Sequence, residues 1–218
     1  MTPYNGDINR VNPEGEATMN TAKNDYIQQL KTKIWITRGA RFNAYRRLNR
    51  RSKITTYLIS IYSAYVLIAS FFEEQLNAYF PEAPSTFKII LFSSSLLILV
   101  LSVIENASRY EITAYNLHEN AKKLSPLIEK LELLISTHPN NEDAIKIANE
   151  ISREYYNLIN SCAENHSSTD HEKFKLDHPE TSPKKNKLIV LGSYYFSSIT
   201  FILTIFAPFF LIFLLNRV

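Results

Sequence analysis

Nineteen consecutive residues from Ile54 to Phe72, ITTYLISIYSAYVLIASFF, carry no charge. As a helix the run spans about 28 Å at about 1.5 Å per residue, close to the bilayer hydrocarbon thickness of about 30 Å. Two further apolar blocks, Ile89 to Ile104 and Leu188 to Leu215, hold most of the remaining apolar residues. Averages conceal this: the mean hydropathy is −0.14 and the net charge +3, values that suit a mildly basic soluble protein. The block-wise distribution instead predicts an all-α integral membrane protein. Two core transmembrane helices, 54–72 and 89–104, extend into cytoplasmic helices, and a third transmembrane helix occupies 188–215.

Flanking charge sets the orientation. The stretch RFNAYRRLNRRSK, Arg41 to Lys53, has six basic residues and no acidic one. The loop from Glu73 to Lys88 carries Glu73, Glu74 and Glu82 against a single lysine. Lysine and arginine in short flanks stay inside, so the N-terminus is expected in the cytoplasm. Arg46, Arg47, Arg50, Arg51 and Lys53 form the first basic flank, and Lys184, Lys185 and Lys187 form a second before the third block. The segment 105–187 then lies in the cytoplasm. The third block is 28 residues long and contains Pro208, so a tilted, kinked span is expected, with a re-entrant hairpin as the alternative.

A basic run beside a span reads as a flank for anionic headgroups, worth about 1 kcal/mol per residue, and direct nucleic-acid binding is not expected. More than fifty residues precede the first span, which excludes a cleaved secretory signal. The single cysteine, Cys162, forms no intramolecular disulfide.

Residues 1–24 are rich in small and polar types and are expected to be disordered. From 25 to 53 a helix is predicted, with Trp35, Phe42, Tyr45 and Leu48 as its apolar stripe. Residues 105–162 are predicted as cytoplasmic helices: a continuation of the second span, a kink or restart at Pro126, a face of Leu127, Leu131, Leu134 and Ile135, and a last helix with Ile147, Ile151, Tyr155 and Leu158 on one side. The stretch 163–187 reads as a polar linker.

The spans carry stripes of small hydroxyl residues. Thr56, Ser60, Ser63 and Ser70 share one face of the first, Ser95 and Ser102 one face of the second, and Ser193, Ser197, Thr200 and Thr204 one face of the third. Such stripes suit close helix packing, within the chain or between the subunits of a homo-oligomer, or the lining of a wet pore. Glu105 and Arg109, one turn apart, are expected as a pair at the cytoplasmic mouth. No span has an ionisable residue near its centre, so proton relays and voltage sensing lack a candidate group. No phosphate loop, paired-acid site or Cys/His cluster occurs, and neither a cofactor, a metal nor an enzymatic activity is expected. His118, His166, His171 and His178 are read as surface or inter-helix residues.

The segments WITRGARFNAYRRLNRRSK, ENASRYEITAYNLHENAKKLSPLIEKLELL and NHSSTDHEKFKLDHPE, set around a two-span hairpin, resemble the SLATT domain proteins of bacteria. The SLATT-like domain covers 25–162, and the additional C-terminal span resembles a subgroup found beside reverse transcriptases. The resemblance implies a multi-pass protein of the bacterial inner membrane. Its role would be that of an effector in anti-phage abortive infection, which oligomerises and permeabilises the membrane on activation. It also implies a signalling partner such as a nucleotide synthase or a reverse transcriptase. A membrane-anchored adaptor or sensor without a pore is the alternative.

Overall fold

A computed structural model describes residues 13–79, 84–137, 142–181, 186–196 and 199. Among them the regular structure is helical, with no strand: α1 (Pro13–Phe71), α2 (Glu73–Tyr79), α3 (Pro84–Ser108), α4 (Tyr110–Thr137), α5 (Glu142–Asn160) and α6 (Ser168–Asp177), then a 3-10 turn at Pro179–Thr181. Residues 187–196 are again helical.

The 59 residues of α1 form one unbroken helix, about 88 Å long at about 1.5 Å per residue. It starts at Pro13, twelve residues before the start expected from sequence, so the N-terminal stretch is helical from 13 onward rather than disordered to 24. Proline at the first helical position loses no bond that a helix would make there.

Among the buried positions of α1, Ile27, Leu30, Ile34, Arg41, Ala44, Leu48 and Thr55 are spaced three, four, seven, three, four and seven, with Gly39, Ala40 and Asn43 also buried beside them. This is a heptad seam. On α4, Leu117, Leu124 and Leu131 recur at seven, flanked by Ala114, Ala121 and Ile128. The two helices run antiparallel. Ile27, Leu30 and Ile34 share a core with Leu124 to Leu134 and with Ala144, Ala148, Ile151 and Tyr155 of α5, whereas Ala44 and Leu48 meet Ala114 and Leu117. Three helices therefore make one extramembrane body.

The seam differs from the aromatic stripe expected on α1. Leu48 is buried in it, but Trp35, Phe42 and Tyr45 are half-buried beside it, because small Ala44 and the antiparallel partner let the helices approach where large rings would hold them apart. Ile147 is likewise exposed rather than buried. α4 runs through the exposed Pro126 without ending. The continuation of α3 into α4 is interrupted at Arg109, whose φ of 48° lies in the left-handed region.

Two helical stretches, Thr21–Phe71 and Phe87–Thr137, each contain a segment long and apolar enough to cross a membrane. In the hairpin formed by the end of α1 and α3, Tyr62 donates to Ser94 Oγ at 3.3 Å, and Lys88 pairs with Glu73 at 3.4 Å near its closed end. Most span side chains face outward, with Phe71 82% and Phe92 72% exposed. The described part of the third block is 188–196 and 199, and the rest of it lies outside the described residues.

The stretch 163–187, expected as a linker, contains α6, which packs on α1. Gly39 of α1 is buried, and a Cβ there would lie 1.9 Å from Phe174 Cε2. The missing side chain is what seats the ring. In an open helix Gly39→Ala would stabilise by about 1 kcal/mol through propensity. Here overpacking costing about 1–3 kcal/mol outweighs that gain. Gly39→Ala is expected to undock α6, read as faster proteolysis within 163–181, and the Gly39→Ala/Phe174→Leu double variant is expected to recover protection.

Candidate functional site

The site begins with α6. Ser167 caps the helix with Asp170 at the third position: Ser167 N–H and Oγ both donate to Asp170 Oδ2, at 3.0 and 2.7 Å, and Asp170 N–H donates back to Ser167 Oγ at 3.3 Å. This capping box satisfies two backbone donors that a helix start leaves open. It also fixes the Asp170 carboxylate, which is fully buried at 0% exposure, towards α1. There Arg47 grips it with two bonds, Nε to Oδ1 at 2.8 Å and Nη2 to Oδ2 at 2.9 Å. The hydrogen bond to Asp170 raises the Arg47 pKa above its ordinary value, so this arginine stays charged.

Beside the pair, Asn43 Nδ2 donates to Asp170 O at 3.2 Å, and the Tyr194 hydroxyl donates to Asn43 O at 2.9 Å. The Arg50 guanidinium lies over the Tyr195 and Tyr194 rings, at 4.6 and 5.4 Å. α1, α6 and the helical residues 187–196 are thus joined at one clasp.

The basic flank is largely engaged within the chain. Arg47 binds Asp170 and Arg50 the tyrosine pair, while the Arg51 guanidinium sits 4.2 Å from the Tyr110 ring centroid. Arg46, which is exposed, donates to Asn43 Oδ1 at 2.9 Å. Lys53 and Lys187 are exposed. Lys184 and Lys185 lie outside the described residues.

A second polar layer crosses the α1/α4 seam. Arg41, 1% exposed, donates through Nη1 to Asn120 Oδ1, and Asn120 Nδ2 donates to Leu158 O of α5 at 2.7 Å. Neither layer was deduced from the sequence. The signal for the clasp was the S-x-x-D spacing of Ser167 and Asp170. Nothing in the local pattern marked Arg41 as buried while Arg46 of the same basic run is exposed.

At the extramembrane end of the hairpin an open cleft of about 1010 Å³ brings together Thr56, Ser60, Ser102, Glu105 and Arg109 with Ser52 and Asn106. Glu105 and Arg109 do not pair: Arg109 is exposed at the helix break, and Glu105 interacts with Arg51 and Thr55 of α1. The remaining stripe residues Ser63, Ser70 and Ser95 do not line the cleft. Ser60, Ser63, Ser70 and Ser95 each donate to the carbonyl one turn earlier, at 2.7–3.0 Å, so their hydroxyls are satisfied within their own helices. Ser193 is exposed, and Ser197, Thr200 and Thr204 fall outside the described residues.

Among the described residues, no cluster of three or more His, Cys, Asp or Glu is placed to hold a metal. His166 and His171 stack with centroids 6.0 Å apart, one on each side of the Ser167 cap. Burial lowers the pKa of both below the ordinary histidine value, with Arg41 adding to the effect at His166 and Lys175 at His171.

These features define a helical membrane protein whose apolar hairpin grows out of a three-helix body. Residues 23–215 match the family of SMODS and SLOG-associating 2TM effector domains, family 5, and the chain belongs to it. No curated protein and no solved structure matches the chain.

Removing one partner of a buried ion pair leaves the other charge uncompensated. Because Arg47 is 21% exposed and can reach water, Asp170→Asn is expected at the low end, a loss of about 3 kcal/mol in chemical denaturation. Acidification acts on the same helix. A histidine held neutral by burial costs nothing above the unfolded value of 6.5, where both states are neutral. Below it the unfolded chain takes up protons first, and stability falls until the folded pKa is passed. Hydrogen exchange of α6 amides, corrected for intrinsic rates, is expected to show less protection at pH 5.5 than at pH 7.5. His166→Gln/His171→Gln is expected to flatten that difference.

Proposed function

We propose that this protein is a non-enzymatic effector of an anti-phage, abortive-infection system. It resides in the bacterial inner membrane with its N-terminus in the cytoplasm, self-associates through its spans, and permeabilises the bilayer when a signal releases it. The observation that carries this reading is the cleft at the base of the hairpin. Thr56, Ser60 and Ser102 lead from it into the apolar spans, and two helices alone cannot enclose an ion path. A ring of copies supplies the missing walls.

The outward-facing side chains of both spans give such a ring its lipid and neighbour contacts. The family's description as SMODS and SLOG-associating effector domains supports a signalling partner, and a nucleotide synthase or a reverse transcriptase is the kind of partner proposed. Charge asymmetry about the first span supports the orientation, and the exposed Lys53 supplies attraction to anionic headgroups.

A membrane-anchored adaptor is the second reading. Leu133, Ile147 and Tyr156 are exposed on α4 and α5, as a recruiting surface would require.

Induction together with the neighbouring genes and phage is expected to collapse a membrane-potential dye signal. Ser60→Leu/Ser63→Leu is expected to reduce both the collapse and the oligomer seen on native gels. A steady potential with the protein demonstrably in the membrane rejects permeabilisation and favours the adaptor.

A further inference from the structure

The cleft at the base of the hairpin crosses the level at which both spans leave the bilayer. Ser60 lies six residues inside the first span, about 9 Å at about 1.5 Å per residue. Ser102 lies within the second, whereas Arg109 and Glu111 lie beyond its end, at the depth of lipid headgroups. We propose that this cleft binds one zwitterionic phospholipid whose headgroup carries a primary ammonium, with the ammonium on Glu111 and the phosphate on Arg109 and Asn106.

The polar groups of the cleft are unused. Elsewhere on the spans Ser63, Ser70 and Ser95 give their hydroxyls to the carbonyl one turn earlier, as Ser60 does at the deep end of the cleft. The side chains of Ser52, Thr56, Ser102 and Asn106 have no hydrogen-bond partner among the described residues. Arg109 and Glu111 are both exposed, and neither pairs with the other or with another charge among the described residues. Glu105 is already engaged with Arg51 and Thr55 of α1.

A positive and a negative group left open in one cleft match a ligand that carries both charges. A phosphate accepts from the guanidinium fork of Arg109 and the amide of Asn106. A primary ammonium donates three bonds, and the Glu111 carboxylate and the Ser52 and Thr56 oxygens are acceptors for it. A choline headgroup has no N–H to donate. An anionic headgroup sets its charge against Glu111 with nothing to offset it.

Depth separates a lipid from a free zwitterion. Thr56, Ser60 and Ser102 lie where glycerol esters sit, and Ile59 and Ile112 supply apolar lining. The exposed Val103 and Ile104 of α3 extend that apolar surface towards the acyl chains. A volume of about 1010 Å³ is at the top of the range for small-molecule sites, about 300–1,000 Å³, and suits a headgroup with its glycerol while the chains stay in the bilayer. A lipid seated here closes the side that a neighbouring copy closes in a ring, so occupancy and assembly compete for one wall. Binding itself rests on the place of the hairpin in the bilayer and not on permeabilisation, and its test succeeds or fails independently.

The full chain in detergent micelles is titrated with dioleoyl phosphatidylethanolamine, phosphatidylcholine and phosphatidylglycerol, and bound lipid is counted by native mass spectrometry. O-phosphoethanolamine, the headgroup without its chains, is the soluble probe. One phosphatidylethanolamine is expected to bind about tenfold more tightly than either other lipid, and O-phosphoethanolamine more weakly still. Glu111→Gln is expected to bring phosphatidylethanolamine down to the level of phosphatidylcholine. Arg109→Gln is expected to weaken both of these lipids about tenfold. The proposal is overturned by equal binding of the three lipids, or by phosphatidylglycerol binding most tightly, as attraction to the basic flank alone would give. It is also overturned by O-phosphoethanolamine binding as tightly as the lipid, or by the wild-type preference and affinity persisting in both variants.

Discussion

A carboxylate with no exposed surface must find compensation inside the protein, and Asp170 finds it from two sides at once. Its oxygens accept from the Ser167 cap and from both arms of Arg47, and its carbonyl accepts from Asn43, whose own carbonyl holds Tyr194. One buried charge therefore sets where α6 starts, which face of α1 it sits on, and where the helical residues 187–196 attach. Burial of an ion is affordable only with geometry of this quality. The same demand excludes other positions of α6 along α1.

The body beneath follows a different logic. Its heptad seam is apolar at Ile27, Leu30, Ile34 and Leu48 and polar at Arg41, where the guanidinium meets Asn120. A polar layer in an otherwise apolar seam fixes register, because a shift by a heptad takes Arg41 from Asn120 and places it against Leu127 or Thr113. At Arg41 no carboxylate among the described residues neutralises the charge, and Nε has no hydrogen-bond partner. The seam is held in register at a point where it is not maximally stable.

The hairpin was legible in the sequence because lipid imposes a rule on every residue of a span: no charge for nineteen positions. The extramembrane helices were legible in outline, since the α4 leucines repeat at seven. The α1 seam was misread through its aromatics, because Trp35 and Tyr45 pack only at its margins and Trp35 also meets Phe174 of α6. α6 itself has little apolar periodicity: its cap is local, and it is held by one ion pair and one ring on a glycine, each a tertiary match between stretches more than a hundred residues apart in the chain. For the same reason the basic run looked like a lipid flank alone, although Arg47 and Arg50 are engaged internally and Arg46 and Lys53 remain outward. Glu105 and Arg109 had the spacing of a helical pair, and the break in the backbone between α3 and α4 separated them.

That break gives the two spans unequal freedom. The first span is the end of α1 and turns only when the whole body turns. The second is joined to the body through Arg109, whose left-handed backbone costs a non-glycine residue about 1–2 kcal/mol. α3 has 25 residues and is about 37 Å long, so a tilt of about 10° at its base carries its far end about 6 Å sideways. A fixed post and a pivoting arm share one base, and the pivot lies at the lip of the polar cleft. A change of that tilt would widen or narrow the cleft, restrained at the junction by the bonds from Arg109 N–H to Asn106 O and from Thr113 N–H to Arg109 O.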